Sequence, residues 1–151
     1  MTKSNPEAVH WDLEQILPIK EFDEAYAAIE TALTEYANWQ KQLKPGMPAE
    51  TFRHYMGWQY DLTDKLSRLY SRPGLLETTD GKSGEAARLK ARAQDLSVQA
   101  SEASRPISMW LKGKAVKGMQ TLDDANAKRL FATVEGMEYP LTYAREMARH
   151  T

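Results

Sequence analysis

Three histidines, His10, His54 and His150, are the side chains of this sequence best suited to bind a transition metal or move a proton near neutral pH. A hydrolytic zinc centre needs three protein ligands and an open position, commonly with two histidines one helical turn apart and a glutamate base between them. No histidine here has a second one within five residues, and His-Glu-x-x-His does not occur. Each is expected to be a surface or partly buried polar residue. Ser104 and Ser108 flank Pro106, but no Gly-x-Ser-x-Gly elbow presents a serine nucleophile, and without cysteine the thiolate route is closed. Gly113 and Gly118 lie among Lys112, Lys114 and Lys117, a faint suggestion of a phosphate loop. Met119 stands where that loop needs lysine, so an ordinary connection between helices is expected. The pair Asp123-Asp124 sits at a helix start, where capping accounts for it. The residues therefore assign no catalytic, cofactor-binding or metal site.

Whatever these side chains do, helices must position them. Phe22, Tyr26, Ile29, Leu33, Tyr36, Trp39 (or Gln40) and Leu43 recur by threes and fours, which predicts one helix from about Phe22 to Leu43. Glu21, Asp23 and Glu24 suit its positive end, and Lys44-Pro45-Gly46 stops it. A second stripe, Phe52, Tyr55, Met56, Gln59, Leu62, Leu66 and Leu69, begins after Pro48, and Arg72-Pro73-Gly74 is expected to end or kink it. Ser83 is a candidate N-cap for a third helix. Its seam is Ala86, Leu89, Ala93, Leu96, Ala100, Ala103, Ile107 and Trp110, with a bend expected at Pro106. Thr121 or Asp123 can cap a fourth segment, with the seam Ala127, Leu130, Val134, Met137, Leu141, Ala144 and Ala148. Gly136 and Pro140 kink it or split it in two. No alternating strand pattern with hairpin turns appears, so the expected class is all-α, a bundle of about four long, partly kinked antiparallel helices.

The length of 151 residues suits one core, and 20 basic against 21 acidic residues leave no global field to draw the chain onto nucleic acid or an anionic membrane. No apolar run approaches the roughly 20 residues that span a bilayer, and the absence of cysteine fits a reducing compartment, so the expected location is cytoplasmic. Charge is uneven: residues 1–43 hold three Lys against eight Asp and Glu, and residues 82–114 hold seven basic against three acidic. Either the acidic first helix lies against the basic third, or the basic stretch forms a surface for acidic peptide. Trp39, Trp58, Trp110, Tyr60, Tyr70, Tyr139 and Tyr143 are read as packing residues more readily than as the lining of a peptide groove.

Particular stretches resemble a known family. Val9-His10-Trp11-Asp12-Leu13-Glu14-Gln15-Ile16-Leu17-Pro18, before an acidic-capped amphipathic helix, is similar to the Trp-Asp-Leu … Leu-(Phe)-Pro opening of oligoendopeptidase F-type, thimet-oligopeptidase-like zinc metallopeptidases. Leu66-Ser67-Arg68-Leu69-Tyr70, then Thr78-Thr79-Asp80, then a long helix ending in Ile107-Ser108-Met109-Trp110-Leu111 follows the family's order of helix, Thr-Thr-Asp turn and helix. Leu122 to Phe131, with Tyr139, Leu141, Arg145 and His150-Thr151, resembles the stretch that leads into the family's His-Thr-Leu-Ser and catalytic half.

The resemblance implies residues 1–20 as an extended anchor and residues 21–151 as a helical-bundle domain, the amino-terminal part of a larger peptidase whose catalytic domain is absent. In the family that region walls a cavity admitting short, unfolded peptides. The implied partners are the catalytic domain and, through the parent enzyme, oligopeptide substrate. Zinc belongs to the parent, and no cofactor is expected in this chain, which alone is not an enzyme. A free-standing helical protein-protein interaction module is the alternative. Apolar surface at Trp11, Trp110 and near Tyr139 is expected to face the catalytic half and to promote self-association of the free chain. Far-ultraviolet circular dichroism should be dominated by helix, and a sheet-dominated spectrum would exclude the architecture.

Overall fold

The computed structural model describes residues 20–79 and 84–150, and among these every regular element is helical. The elements are α1 (20–33), α2 (Glu35–Gln42), α3 (Ala49–Thr79), α4 (Gly84–Leu111), α5 (Asp124–Phe131) and α6 (Glu138–Arg149). No described helix is long and apolar enough to cross a membrane. Residues 1–19 of the expected anchor, Trp11 among them, lie outside the described residues, as does the candidate cap Ser83, whereas Lys20 already begins α1.

The predicted first helix is interrupted by a single turn residue, Thr34, whose φ of -68° and ψ of -20° remain close to helical. Threonine is β-branched and its hydroxyl competes for backbone partners, so a small departure there is inexpensive. Arg72-Pro73-Gly74 does not end its helix: α3 runs on to Thr79. A proline removes one amide donor, and turns on both sides of it still close their own hydrogen bonds. Pro106 likewise lies inside α4. The fourth segment does split. α5 stops at Phe131, Gly136 takes a φ of 80°, and Pro140 falls in the first turn of α6, where its missing N–H has no helical acceptor to lose.

The described residues form two compact units. One comprises residues 20–31, 64–79 and 84–97. Phe22, Ile29, Leu69, Ala86, Leu89, Ala93 and Leu96 are buried in it, as their spacing predicts. Arg92 Nη1 donates to Asp23 Oδ1 at 2.8 Å, and its guanidinium lies 5.2 Å from the Phe22 ring centroid and 4.7 Å from that of Tyr26. Within this unit the acidic first helix therefore packs on the basic third.

The other unit comprises residues 32–63 and 98–150. Its buried apolar residues include Tyr36, Leu43, Met47, Phe52, Tyr55, Leu62, Ile107, Trp110, Leu122, Leu130 and Phe131. Met47 and Leu122 sit in connections between helices, so periodicity did not mark them. Trp110 ends the seam predicted for α4 and is fully buried, as that seam implies and contrary to the expectation that it faces another domain. Its indole Nε1 donates to Gln120 O at 2.7 Å, which satisfies the ring's one polar atom.

Truncating Trp110 to alanine removes a filled core volume and orphans the Gln120 carbonyl, a loss of about 3–5 kcal/mol. Tyr139→Ala, at an exposed site, should stay within about 0.5 kcal/mol. Urea unfolding of the two variants checks the contrast, and similar midpoints would refute the buried anchor.

Candidate functional site

The chemistry-bearing residues named from sequence are dispersed. His54 is exposed on α3, with Nε2 4.0 Å from Glu50 Oε1, and His150 is the exposed C-cap of α6. His10 lies outside the described residues. No group of three or more His, Cys, Asp or Glu is gathered among the described residues. Ser104 is half-buried and Ser108 exposed on α4. Ser104 hydrogen-bonds Ser101 O at 3.2 Å and also reaches the Tyr36 hydroxyl.

The glycine-lysine stretch is a helix terminus. Gly113, with a φ of 84°, follows α4, its N–H donating to Trp110 O at 3.0 Å while Lys114 N–H donates to Met109 O at 3.0 Å. This pair of bonds is a Schellman closure, in which glycine takes the left-handed conformation at little steric cost. Lys114 Nζ crosses to Ala148 O at 3.1 Å, at the negative end of α6. Asp123 caps α5: one carboxylate oxygen accepts from Asn126 N at 3.1 Å and the other from Asn126 Nδ2 at 2.8 Å. Those two bonds hold its carboxyl below the usual range.

The polar centre of this unit is Arg145, which sequence reasoning placed only within the family resemblance. Its residue is 6% exposed, the one buried charge found among the described residues. Nη1 donates to Leu111 O at 3.1 Å and Nη2 to Leu122 O at 2.5 Å, while Nη2 and Nε reach Asp124 Oδ1 at 3.0 and 3.3 Å. The guanidinium thus joins the end of α4, the end of the following loop and the first turn of α5. It lies over Gly113, where an added Cβ would come within 3.1 Å of Arg145 Cζ. The signal available in sequence was its spacing: four residues after Leu141 and three before Ala148, Arg145 falls on the buried side of α6.

Arg149 also donates to Asp124 Oδ1. The Arg149 and Arg145 hydrogen bonds, in that order, lower the Asp124 carboxyl from its ordinary value near 3.8. A second arginine, Arg129, ties α5 to the turn before α3 through Pro45 O at 2.8 Å and Met47 O at 3.0 Å.

The second polar-aromatic cluster lies between α2, α3 and α4. Tyr36 and Trp58 meet edge to face at 4.8 Å, Trp39 and Tyr55 at 5.4 Å, and Trp39 and Trp58 lie 6.1 Å apart. Gln59 Oε1 accepts from the Tyr36 hydroxyl at 2.5 Å and the Tyr55 hydroxyl at 3.3 Å, while its Nε2 donates to Thr63 Oγ1 at 3.1 Å. Burial raises both phenols, Tyr36 against the opposing effect of its hydrogen bonds with Gln59 and Ser104, so both stay neutral at physiological pH. The rings use their faces on each other, which fits packing. Tyr60, Tyr70, Tyr139 and Tyr143 are exposed and are not part of the core.

In this arrangement arginines satisfy the carbonyl and carboxylate acceptors, and the buried phenols stay protonated. No protein-family model matches the chain, and no curated protein or solved structure does either.

The Asp124 linkage has a defined sign. A carboxyl lowered in the folded state contributes stability that is present above its unfolded value near 3.8 and is lost as pH falls through the lower folded value. Asp124→Asn should therefore unfold at lower temperature than the parent at pH 7, with a shallower decline between pH 4 and about pH 2. Parallel thermal profiles over that range would show that Asp124 does not couple to folding.

Proposed function

We propose that this chain is the amino-terminal helical region of a zinc-dependent oligoendopeptidase, inactive alone, which walls the cavity where the parent enzyme hydrolyses short peptides. In this reading its helices pack as about four long, partly kinked antiparallel helices preceded by the anchor of residues 1–20. The supporting observation is an order of elements: α3, then α4, which closes on Ile107 to Leu111 before the loop that Arg145 fixes, although Thr78 and Thr79, expected in a turn, are the last residues of α3. A wall of this kind selects by size, because an unfolded oligopeptide can enter a cavity that excludes a folded protein.

Zinc in the parent would activate water and polarise the scissile carbonyl from a catalytic half. The described histidines of this chain do not fit that role, since His54 and His150 sit singly at exposed positions on different helices. What these residues contribute is shape: α4, α5 and α6 are held in fixed register by Arg145, and α5 is held to the turn before α3 by Arg129.

A free-standing helical interaction module is the second reading. The observation that favours it is the exposed stripe Tyr139, Tyr143 and Met147 on α6. Sequencing the gene beyond codon 151 separates the two readings. A continuing frame that encodes His-Glu-x-x-His favours the peptidase, and an immediate stop codon favours the module.

The peptidase reading also predicts that residues 1–151, purified alone, hold no stoichiometric zinc by elemental analysis and do not cleave a quenched fluorescent oligopeptide. The product of the whole gene should do both. Chelator-sensitive turnover that follows residues 1–151 through purification would overturn the assignment.

A further inference from the structure

α6 carries a face that its own unit leaves open. Tyr139, Tyr143 and Met147 follow one another at four-residue intervals and are 76%, 53% and 47% exposed. The two tyrosine rings stack at 6.0 Å with an interplanar angle of 23°, so they form one continuous apolar strip. At 1.5 Å per residue the strip is about 12 Å long, centred on Tyr143. Opposite charge borders its ends. Glu135 and Glu138 are exposed at the amino-terminal end. Lys114, reaching Ala148 O, joins Arg149 at the carboxy-terminal end, and Arg149 retains 46% exposure while it pairs with Asp124 and Glu146.

We propose that this face binds a second copy of the same chain, α6 against α6 in antiparallel orientation, with a twofold axis passing beside Tyr143. The charge pattern selects both occupant and direction. An antiparallel copy sets Glu135 and Glu138 against the basic end of its partner twice over and opposes the two helix dipoles. A parallel copy would place acid on acid and base on base. The apolar strip matches itself in the same arrangement, because Tyr139 of one copy meets Met147 of the other while the two Tyr143 rings meet at the axis. Aromatic rings and a thioether pack well on each other. A helix of 12 residues is about 18 Å long, so the paired area falls below the ~1,200 Å² of a standard interface and the dimer is weak and concentration-dependent. The pairing is a property of α6 and does not rest on the peptidase reading.

The chain contains no cysteine, so introduced cysteines report the geometry without background. Tyr139→Cys and Met147→Cys chains, mixed in equal amounts and mildly oxidised, should yield the mixed disulfide well above its statistical half-share of dimers. Tyr143→Cys should cross-link to itself at least tenfold faster than Tyr60→Cys, a site 74% exposed on α3. Adding Tyr139→Glu to the Tyr143→Cys chain should abolish that rate advantage while leaving the thermal midpoint unchanged. A statistical 139–147 mixture, equal rates at positions 143 and 60, or a rate advantage that survives Tyr139→Glu would overturn the proposal.

Discussion

A guanidinium buried among carbonyl oxygens organises the carboxy-terminal half of this protein. Arg145 is taken from water and surrounded by Leu111 O, Leu122 O and Asp124 Oδ1, three acceptors from three successive pieces of chain. Removing a charge from water costs several kcal/mol unless its donors are matched, and a planar fork of N–H groups can match several acceptors at once. The surroundings follow from that demand. Gly113 suits its place because its φ of 84° strains any other residue and an added Cβ would crowd the guanidinium at 3.1 Å. Asp124 has to stand in the first turn of α5, where Asp123 has already fixed the helix start.

The same economy of polar groups governs the aromatic cluster. Tyr36 and Tyr55 bring hydroxyls into a poorly hydrated place, and Gln59 accepts from both while donating onward to Thr63. A leucine at that position would fit the apolar stripe but remove the acceptor that the two phenols share. Arg129 does the equivalent for the turn before α3, donating to the carbonyls of Pro45 and Met47. No buried side-chain nitrogen or oxygen among the described residues is left without a partner. The contrast with α6 is therefore informative: its large apolar side chains face outward, where a partner can cover them.

The sequence by itself determined the class of structure and most of the helix interiors. Spacing by threes and fours marked Phe22, Ile29, Tyr36, Phe52, Tyr55, Leu62, Leu69, Ala86, Leu89 and Leu96, all buried, because a helix repeats its side chains every 3.6 residues and one face must avoid water. It also narrowed the cap to Thr121 or Asp123, of which α5 uses Asp123, and placed a break near Gly136, since capping and left-handed backbone depend on a few neighbouring atoms. Tertiary structure decided what periodicity does not encode. Pro73 is carried within α3, although an isolated peptide would favour a stop there. Trp110 lies on the predicted seam, but the acceptor of its indole, Gln120 O ten residues on, is set by the fold of the loop. Arg145 is buried because the acceptors for its charge come from Leu111, Leu122 and Asp124, distant in sequence and brought together only when the loop closes.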